Sequence, residues 1–386
     1  MVQVYDDKKH CSGCTACESI CPVRAISMQV DEKGFLYPII NQEICIDCGK
    51  CIRTCPIKNK TESNAEGYGC VALQLLDQSP LFQSSSGGVA YGLSRHVLNQ
   101  GGIVYGAAYD DENRVSHIRV DRVEDLHRLQ GSKYVQSNIQ GIYPAVKQDL
   151  EHGKEVLFSG TGCQVGGLLA YLGKDYKNLI TIDVICYGTP SPMLWERYLK
   201  EEVNRYAPCR INMRDKTKGW ANPYYTLYRG RKALKRDMMN RSSYLRLFLW
   251  NYGLREACFE CSFKTRCHCS DLTLGDCWGM EGLVKTKNDD GMGMSMVFVN
   301  SKKGQGLLEK CEKDFWKEDI NSDEATKTNP MLIRSFPPPK GEREFWEKLK
   351  HQTVHKVAYT FIPDDPLVLK IKKKLYPLKK ILLRSK

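Results

Sequence analysis

From residue 70 onward, short runs of β-branched and other apolar residues alternate with stretches whose apolar positions recur every three to four residues. The runs at 103–109, 155–159 and 179–185 predict buried strands. Helical periodicity predicts helices over 88–99, 140–152, 164–173, 191–206 and 304–316. Strand and helix in alternation predict an α/β layer structure. Before residue 60 the pattern differs: 26–30 and 35–40 are short apolar strands flanking Asp31-Glu32-Lys33-Gly34, a hairpin turn. Residues 58–67 are polar, lack periodicity and read as a linker. At the far end Leu367, Ile371, Leu375, Leu378 and Leu382 return to helical spacing, with Pro377 placed to kink that helix. The organisation expected is a small domain over 1–60, a linker over 61–69, a central domain in two parts (70–155 and 156–335) and an extension over 336–386.

The chain has 386 residues, 42% hydrophobic and 26% charged, ordinary values for a folded protein of two or three domains. Nowhere do roughly 18 apolar residues run together, so no bilayer-spanning helix is expected. The first seven residues lack the charged and apolar regions of a secretory leader, which makes a cytoplasmic location the expectation. In a reducing compartment, 18 cysteines are metal ligands or redox centres rather than disulfides.

Eight of them form a repeat. Cys11-x2-Cys14-x2-Cys17-x3-Cys21-Pro22 recurs as Cys45-x2-Cys48-x2-Cys51-x3-Cys55-Pro56. Three thiolates spaced by two residues wrap one cubane, and the cysteine before proline reaches the cubane of the other half. One 4Fe–4S cluster is thereby assigned to Cys11, Cys14, Cys17 and Cys55, the other to Cys45, Cys48, Cys51 and Cys21. Structural zinc would show well-separated CxxC pairs or histidines instead. With every ligand position filled by cysteine, this domain moves electrons and binds no substrate. Residues 1–60 resemble a bacterial two-cluster ferredoxin.

Three loops of the central region suit anions. Ser84-Ser85-Ser86-Gly87-Gly88 precedes a helical pattern, where backbone N–H groups receive phosphate. Gly131-Ser132-Lys133-Tyr134 adds a cation beside hydroxyls. Gly160-Thr161-Gly162-Cys163-Gln164-Val165-Gly166 lies between strand and helix like a dinucleotide turn, with Asp183 about twenty residues on. A thiol in the turn and an acid inside its strand argue against a nicotinamide site. Taken singly, each loop is as readily a cap or a turn.

Among the later cysteines, Cys163 and Cys186 sit at the ends of successive strands, where α/β sheets bind ligands. Cys258-x2-Cys261-x5-Cys267-x-Cys269 follows. Two arrangements fit: a third 4Fe–4S cluster on Cys163, Cys186, Cys258 and Cys261, or a local zinc or iron–sulfur knuckle on Cys258, Cys261, Cys267 and Cys269. Spacing alone slightly favours the knuckle.

From about Ser84 to Met280 the chain resembles the coenzyme F420 hydrogenase/dehydrogenase beta-subunit family, iron–sulfur flavoproteins of which many carry an N-terminal two-cluster ferredoxin. The resemblance is carried by Ser84-Ser85-Ser86-Gly87-Gly88-Val89, Gly131-Ser132-Lys133-Tyr134, Leu157-Phe158-Ser159-Gly160-Thr161-x-Cys163-Gln164, Ile185-Cys186-x-Gly188, Cys258-x2-Cys261 and Gly275-Asp276-x-Trp278-Gly279. It implies an α+β protein, a two-cluster ferredoxin-like domain joined to a larger mixed α/β flavin-binding domain. It implies FAD, with Ser85, Ser86, Gly87, Gly88, Ser132, Lys133, Tyr134, Gly160, Thr161 and Gln164 as candidate contacts. It also tips the metal choice toward a third cluster on Cys163, Cys186, Cys258 and Cys261. The chain departs from the family pattern at Gly162 (usually Pro), Tyr187 (usually His) and Cys277 (commonly aromatic). The Tyr187 departure puts any proton-transfer role of that position in doubt.

The net charge of +12 is concentrated. Residues 205–246 carry twelve basic side chains against Asp215 and Asp237, interleaved with Trp220, Tyr224, Tyr225 and Tyr228, and 367–386 carry eight basic side chains and no acid. The first cluster is read as a solvated basic face or a site for an anionic small-molecule substrate, with nucleic acid disfavoured. The second is a candidate for peripheral membrane contact. The leading expectation is an iron–sulfur flavoprotein oxidoreductase acting on an anionic organic substrate or deazaflavin-type cofactor, with bacterial polysaccharide metabolism as one setting and a redox protein or reduced ferredoxin as partner. The alternatives are an electron-transfer subunit without its own substrate and, behind it, a nucleic-acid-binding iron–sulfur protein.

Overall fold

The computed structural model describes residues 3–59, 67, 69–207, 209–288 and 290–362. The basic tail and most of the linker lie outside the described residues. The N-terminal repeat folds as two copies of one loop. Gly13 (φ 69°) and Thr15 (φ 65°) in the first are matched by Asp47 (φ 54°) and Gly49 (φ 66°) in the second. Left-handed residues at alternate positions turn successive N–H groups inward, a concavity for negative charge. Holding Thr15 and Asp47 there costs of order 1 kcal/mol each, a strain typical of ligand-clamping loops. Each loop opens a short helix, Ala16–Ile20 and Lys50–Arg53. Between them β1 (Ile26–Val30) and β2 (Leu36–Ile40) form the expected antiparallel hairpin, Ile26 opposite Ile40.

The central strands are β3 (Cys70–Leu75), β4 (Ile103–Tyr109), β5 (Val115–Val120), β6 (Val156–Thr161), β7 (Leu179–Val184), β8 (Arg210–Asp215), β9 (Tyr224–Arg229), β10 (Lys232–Met238), β11 (Leu272–Asp276), β12 (Ser295–Val299) and β13 (Phe315–Ile320). Eight of them make one mixed sheet in the order β13-β3-β12-β11-β7-β6-β4-β5. Its middle, β4, β6, β7 and β11, is parallel, and antiparallel strands flank it on both sides. A parallel centre must be covered on both faces, and the sequence supplies this by alternation. Val104, Leu157 and Ile180 point to one side, where they pack with Leu93 and Val97 of the helix Val89–Asn99. Ile103, Tyr105, Val156, Phe158 and Leu179 point to the other, against Val146 of the helix Ile142–Glu151 and Val165 and Leu168 of the helix Gly162–Leu172. Each such aliphatic side chain contributes about 1.5–3 kcal/mol on burial. Cys14 and Ala16 of the ferredoxin domain belong to this second layer.

A smaller antiparallel sheet, β10-β9-β8, packs with the helices Pro192–Tyr198, Ser243–Leu249, Glu342–His351 and Val354–Phe361 around Trp195, Tyr198, Tyr225, Tyr244 and Phe345. The helix expected over 304–316 stops at Lys310, and Phe315–Ile320 instead pairs antiparallel with β3. The helix expected over 191–206 is regular only to Tyr198 and then loosens into a π turn. Among the described residues no helix is long and apolar enough to cross a membrane.

Candidate electron-transfer and cofactor site

The two ferredoxin loops bring their cysteines together across the repeat. Cys11, Cys14, Cys17 and Cys55 lie within electrostatic reach of one another, and so do Cys21, Cys45 and Cys51. Cys21, Cys45, Cys48 and Cys51 line one cavity with Ile26 and Ile40. Burial pushes the Cys14 thiol up to about 12. Such a thiol ionises only beside a compensating cation, which the irons of a cluster provide. Sulfur in these groups already accepts backbone donors, as where Ala25 N–H meets Cys21 Sγ at 3.2 Å.

A second meeting of sulfurs occurs at the carboxyl ends of the parallel strands. Cys163 stands in the first turn after β6 and Cys186 follows β7, and both lie within electrostatic reach of Cys258 and Cys261. Burial pushes Cys186 up to about 12. Thr161 Oγ1 lies 3.1 Å from Cys163 Sγ, and the Thr189 N–H donates to Cys258 Sγ at 3.4 Å. Lys264 Nζ donates to the Cys186 carbonyl (2.8 Å) and places a cation beside these sulfurs. Cys267 is exposed, and Cys269 neighbours Asp183 and Asp271 rather than the other thiols. Among the described residues no three metal-ligating side chains converge tightly enough for a single ion.

One helix spans the space between the two sulfur groups. Cys163 opens the helix Gly162–Leu172, and one turn on, about 6 Å along its axis, a Cβ on Gly167 would fall 3.0 Å from Cys14 Sγ. Gly166 lies against Phe263 and Pro56 in the same way.

The three anion-suited loops also assemble, with a redistribution of roles. Ser132 N–H and Oγ both donate to Ser85 Oγ (2.7 and 2.9 Å), joining the first two loops. Ser86 Oγ donates to the Met294 carbonyl, and a Cβ on Gly87 would strike the Leu73 carbonyl at 2.3 Å, so only glycine fits there. The Lys133 ammonium donates to the carbonyls of Leu129, Gln130 and Gly131, and burial lowers its pKa to about 7. Gln164 closes the capping box of its helix with Thr161 and donates to Ser137 Oγ at 3.0 Å. Tyr134 stacks on Phe248 at 4.7 Å. Asp183 is fully buried between His268 (2.6 Å) and Ser270 (2.8 Å), which removes it as a ribose ligand.

Residues 153–322 match the C terminus of the coenzyme F420 hydrogenase/dehydrogenase beta subunit, and residues 10–59 match a 4Fe-4S dicluster domain. The chain thus carries a domain of the coenzyme F420 hydrogenase/dehydrogenase beta-subunit type behind a 4Fe-4S dicluster domain. It is 23% identical over 199 residues to the F component of the F(420)H(2) dehydrogenase of Methanosarcina mazei, a match that covers 46% of this chain and 53% of that one. The chain therefore spans about half the length of that relative. Its N-terminal part is 32% identical over 62 residues to the ketoisovalerate oxidoreductase component VorC of Methanothermobacter marburgensis, covering 16% of this chain and 78% of that one. A chain of the F420-reducing NiFe hydrogenase complex of Methanosarcina barkeri superposes with a TM-score of 0.48 at 17% identity, covering 74% of this chain and 94% of that one. The two matched segments are thus a 4Fe-4S dicluster domain and a domain of oxidoreductase type.

Within the matched C-terminal domain the departures from the family pattern have simple structural roles. Tyr187 Oη donates to Asn251 Oδ1 at 2.6 Å, and burial pushes its phenol up to about 12, so it is a tether rather than a proton carrier near neutrality. Cys277 is fully buried with Cys70 and Met294, a small apolar filler. Gly162 is backed by Asp183 and Phe263, each 3.2 Å from where a Cβ would sit. Sequence reasoning missed Arg255, Lys264 and Gly167. Their only local signal is proximity to Cys258, Cys261 and Cys163.

Proposed function

We propose that the chain is a flavin-dependent iron–sulfur oxidoreductase that moves electrons between three 4Fe–4S clusters and an anionic organic substrate. The observation that carries this reading is the helix Gly162–Leu172, which begins at Cys163 and lays its glycine face on Cys14. On this reading Cys21, Cys45, Cys48 and Cys51 hold an outer cluster, Cys11, Cys14, Cys17 and Cys55 an inner one, and Cys163, Cys186, Cys258 and Cys261 a third. Exposed Val23 and Ile46 border the outer cavity, a surface suited to a redox protein or reduced ferredoxin.

FAD, when bound, supplies the exchange between single electrons and hydride pairs. The chain's part is to hold it beside the third cluster. Ser85, Ser86, Gly87, Gly88 and Ser132 present hydroxyls and close-approach backbone, with Tyr134, Gly160 and Thr161 at their border. Lys133 and Gln164 act one step back, bracing those loops. A deazaflavin-type cofactor belongs to the anionic substrate class, since the relatives' names refer to F420, and a substrate of polysaccharide metabolism is the other setting. A second reading, an electron-transfer subunit without its own substrate, is favoured by the relatives being subunits and by the half-length match.

Anaerobic purification followed by iron, sulfide, zinc and flavin counts tests the first reading. About twelve irons and one FAD are expected from three four-iron clusters. Eight irons with zinc would support the knuckle, and absence of flavin would sink the flavoprotein assignment. Reoxidation of the reduced protein by small anionic acceptors separates the enzyme from the pure relay.

A further inference from the structure

Three basic side chains, Arg214 and Lys216 buried and Lys133 partly so, surround the joined loops, and the two lysines have no donor to spare. Lys133 spends its three N–H groups on carbonyls, and Lys216 does the same, on Leu81 (2.6 Å), Ser86 (3.0 Å) and Met292 (2.7 Å). Arg214 differs. Its Nη1 donates to Asp276 Oδ2 at 2.6 Å, while its Nη2, on a side chain only 7% exposed, meets no acceptor at good hydrogen-bond geometry and has the Tyr134 phenol as the competing group within reach. Trp220, 4% exposed, repeats the pattern with Nε1 buried and unpartnered. Orphaned buried donors are costly, and two of them on neighbouring side chains, the guanidinium 5.9 Å from the Trp220 ring, leave a role for an acceptor from outside the chain.

The surroundings specify that acceptor. The Trp220 and Trp278 rings lie 4.4 Å apart, and the Arg214 guanidinium is 5.9 Å from each. Gly293 (φ 77°) makes the room, since a Cβ there would fall 2.4 Å from the Trp220 ring. Trp278 is 42% exposed, so one side of the cluster is open. Asp276 ends β11 at the same sheet edge as Thr161 and Val184, and Tyr134 lies within electrostatic reach of Arg214.

We propose that Arg214, Trp220 and Trp278 form a receptor for the edge of a planar heteroaromatic ring. Trp278 stacks on the ring face, and Arg214 Nη2 and Trp220 Nε1 donate to an edge oxygen bearing negative charge. The assignment rests on the reading above for the two rings that bring this chemistry, the pyrimidinedione of a flavin and the ring of an anionic substrate.

The full-length, anaerobically purified protein is compared with R214K, which keeps the charge beside Asp276 but loses the second planar donor, and with W278A at the open side. Equilibrium dialysis measures FAD against the flavin-stripped protein and lumazine, a phosphate-free pyrimidinedione ring, against the flavin-loaded one. Both variants are expected to weaken one probe about tenfold or more with iron content unchanged. Weakened FAD assigns the receptor to the flavin; weakened lumazine with FAD retained assigns it to the substrate. A native chain that takes lumazine but no FAD keeps the receptor and removes the flavoprotein reading. The proposal is overturned if either variant binds both probes as the native chain does, or if the native chain binds neither.

Discussion

Arg255 Nε donates to the Cys11 carbonyl at 2.7 Å, a bond across 244 positions of sequence. Its Nη2 donates to the Leu36 carbonyl (2.9 Å) and lies 3.6 Å from Cys11 Sγ. Its Nη1 donates to Gln136 Oε1 (3.2 Å), and the guanidinium rests on the Tyr37 ring. From the same residue the backbone carbonyl accepts from Cys258 N–H at 2.9 Å. One buried cation is therefore tied to a cysteine of each sulfur group.

A cluster gains negative charge on reduction, so a cation beside its sulfur favours the reduced form. R255Q is expected to lower the midpoint potential of the cluster on Cys11, by about 59 mV for each 1.4 kcal/mol of lost stabilisation. The cluster on Cys45 should not move, and R255K should fall between. A redox titration followed by electron paramagnetic resonance reads this directly; equal midpoints in R255Q and the native chain would exclude tuning by Arg255.

The sequence made the cysteine frame and the parallel centre of the sheet legible because their signals are local: fixed spacing in one case, apolar runs bounded by turns in the other. Arg255 carried no such signal, since its partners Cys11, Leu36 and Gln136 come from three distant segments. Lys133 was legible as a cation in a polar loop, but not as one whose charge is enclosed by carbonyls once the loop closes. The strand Cys70–Leu75 is buried at every position, so its pattern could not distinguish strand from buried helix. The overrun of the helix expected over 304–316 came from apolar Phe315 and Trp316 continuing its period, where pairing with β3 prevails.

The choice between third cluster and knuckle predicts opposite outcomes for two pairs of substitutions. C163S and C186S should each remove about four irons, one cluster's worth, and leave the ferredoxin clusters intact. C267S and C269S should leave the iron count unchanged, because Cys267 is exposed and Cys269 faces Asp183. Iron and sulfide assays on the four proteins decide it; loss of metal in C267S would restore the knuckle.

Gly167 lets the ferredoxin domain approach the central sheet. A Cβ there would stand 2.7 Å from Tyr143 Oη, 2.9 Å from Cys14 Cβ and 3.0 Å from Cys14 Sγ. G167V is expected to cost about 1–3 kcal/mol of overpacking, and to part the two sulfur groups. The check is the rate at which electrons supplied to the outer cluster reach the third, followed by rapid freezing. An unchanged rate would place the route elsewhere.

Lys216 should set part of the pH dependence of stability. Burial, with Arg214 beside it, lowers its pKa to about 7, whereas an unfolded lysine titrates near about 10.4. Between these values the unfolded chain holds a proton that the folded chain has released. Stability from this group therefore increases as pH rises from about 7 toward 10, with a slope of up to about 1.4 kcal/mol per pH unit, and is lost as pH falls through the folded value. K216M removes the titration along with the three carbonyl bonds at Leu81, Ser86 and Met292. The variant should be less stable throughout, and its deficit should widen between pH 7 and pH 9. Anaerobic thermal unfolding midpoints across that range measure the gap, and a constant gap would show that Lys216 stays charged in the folded chain.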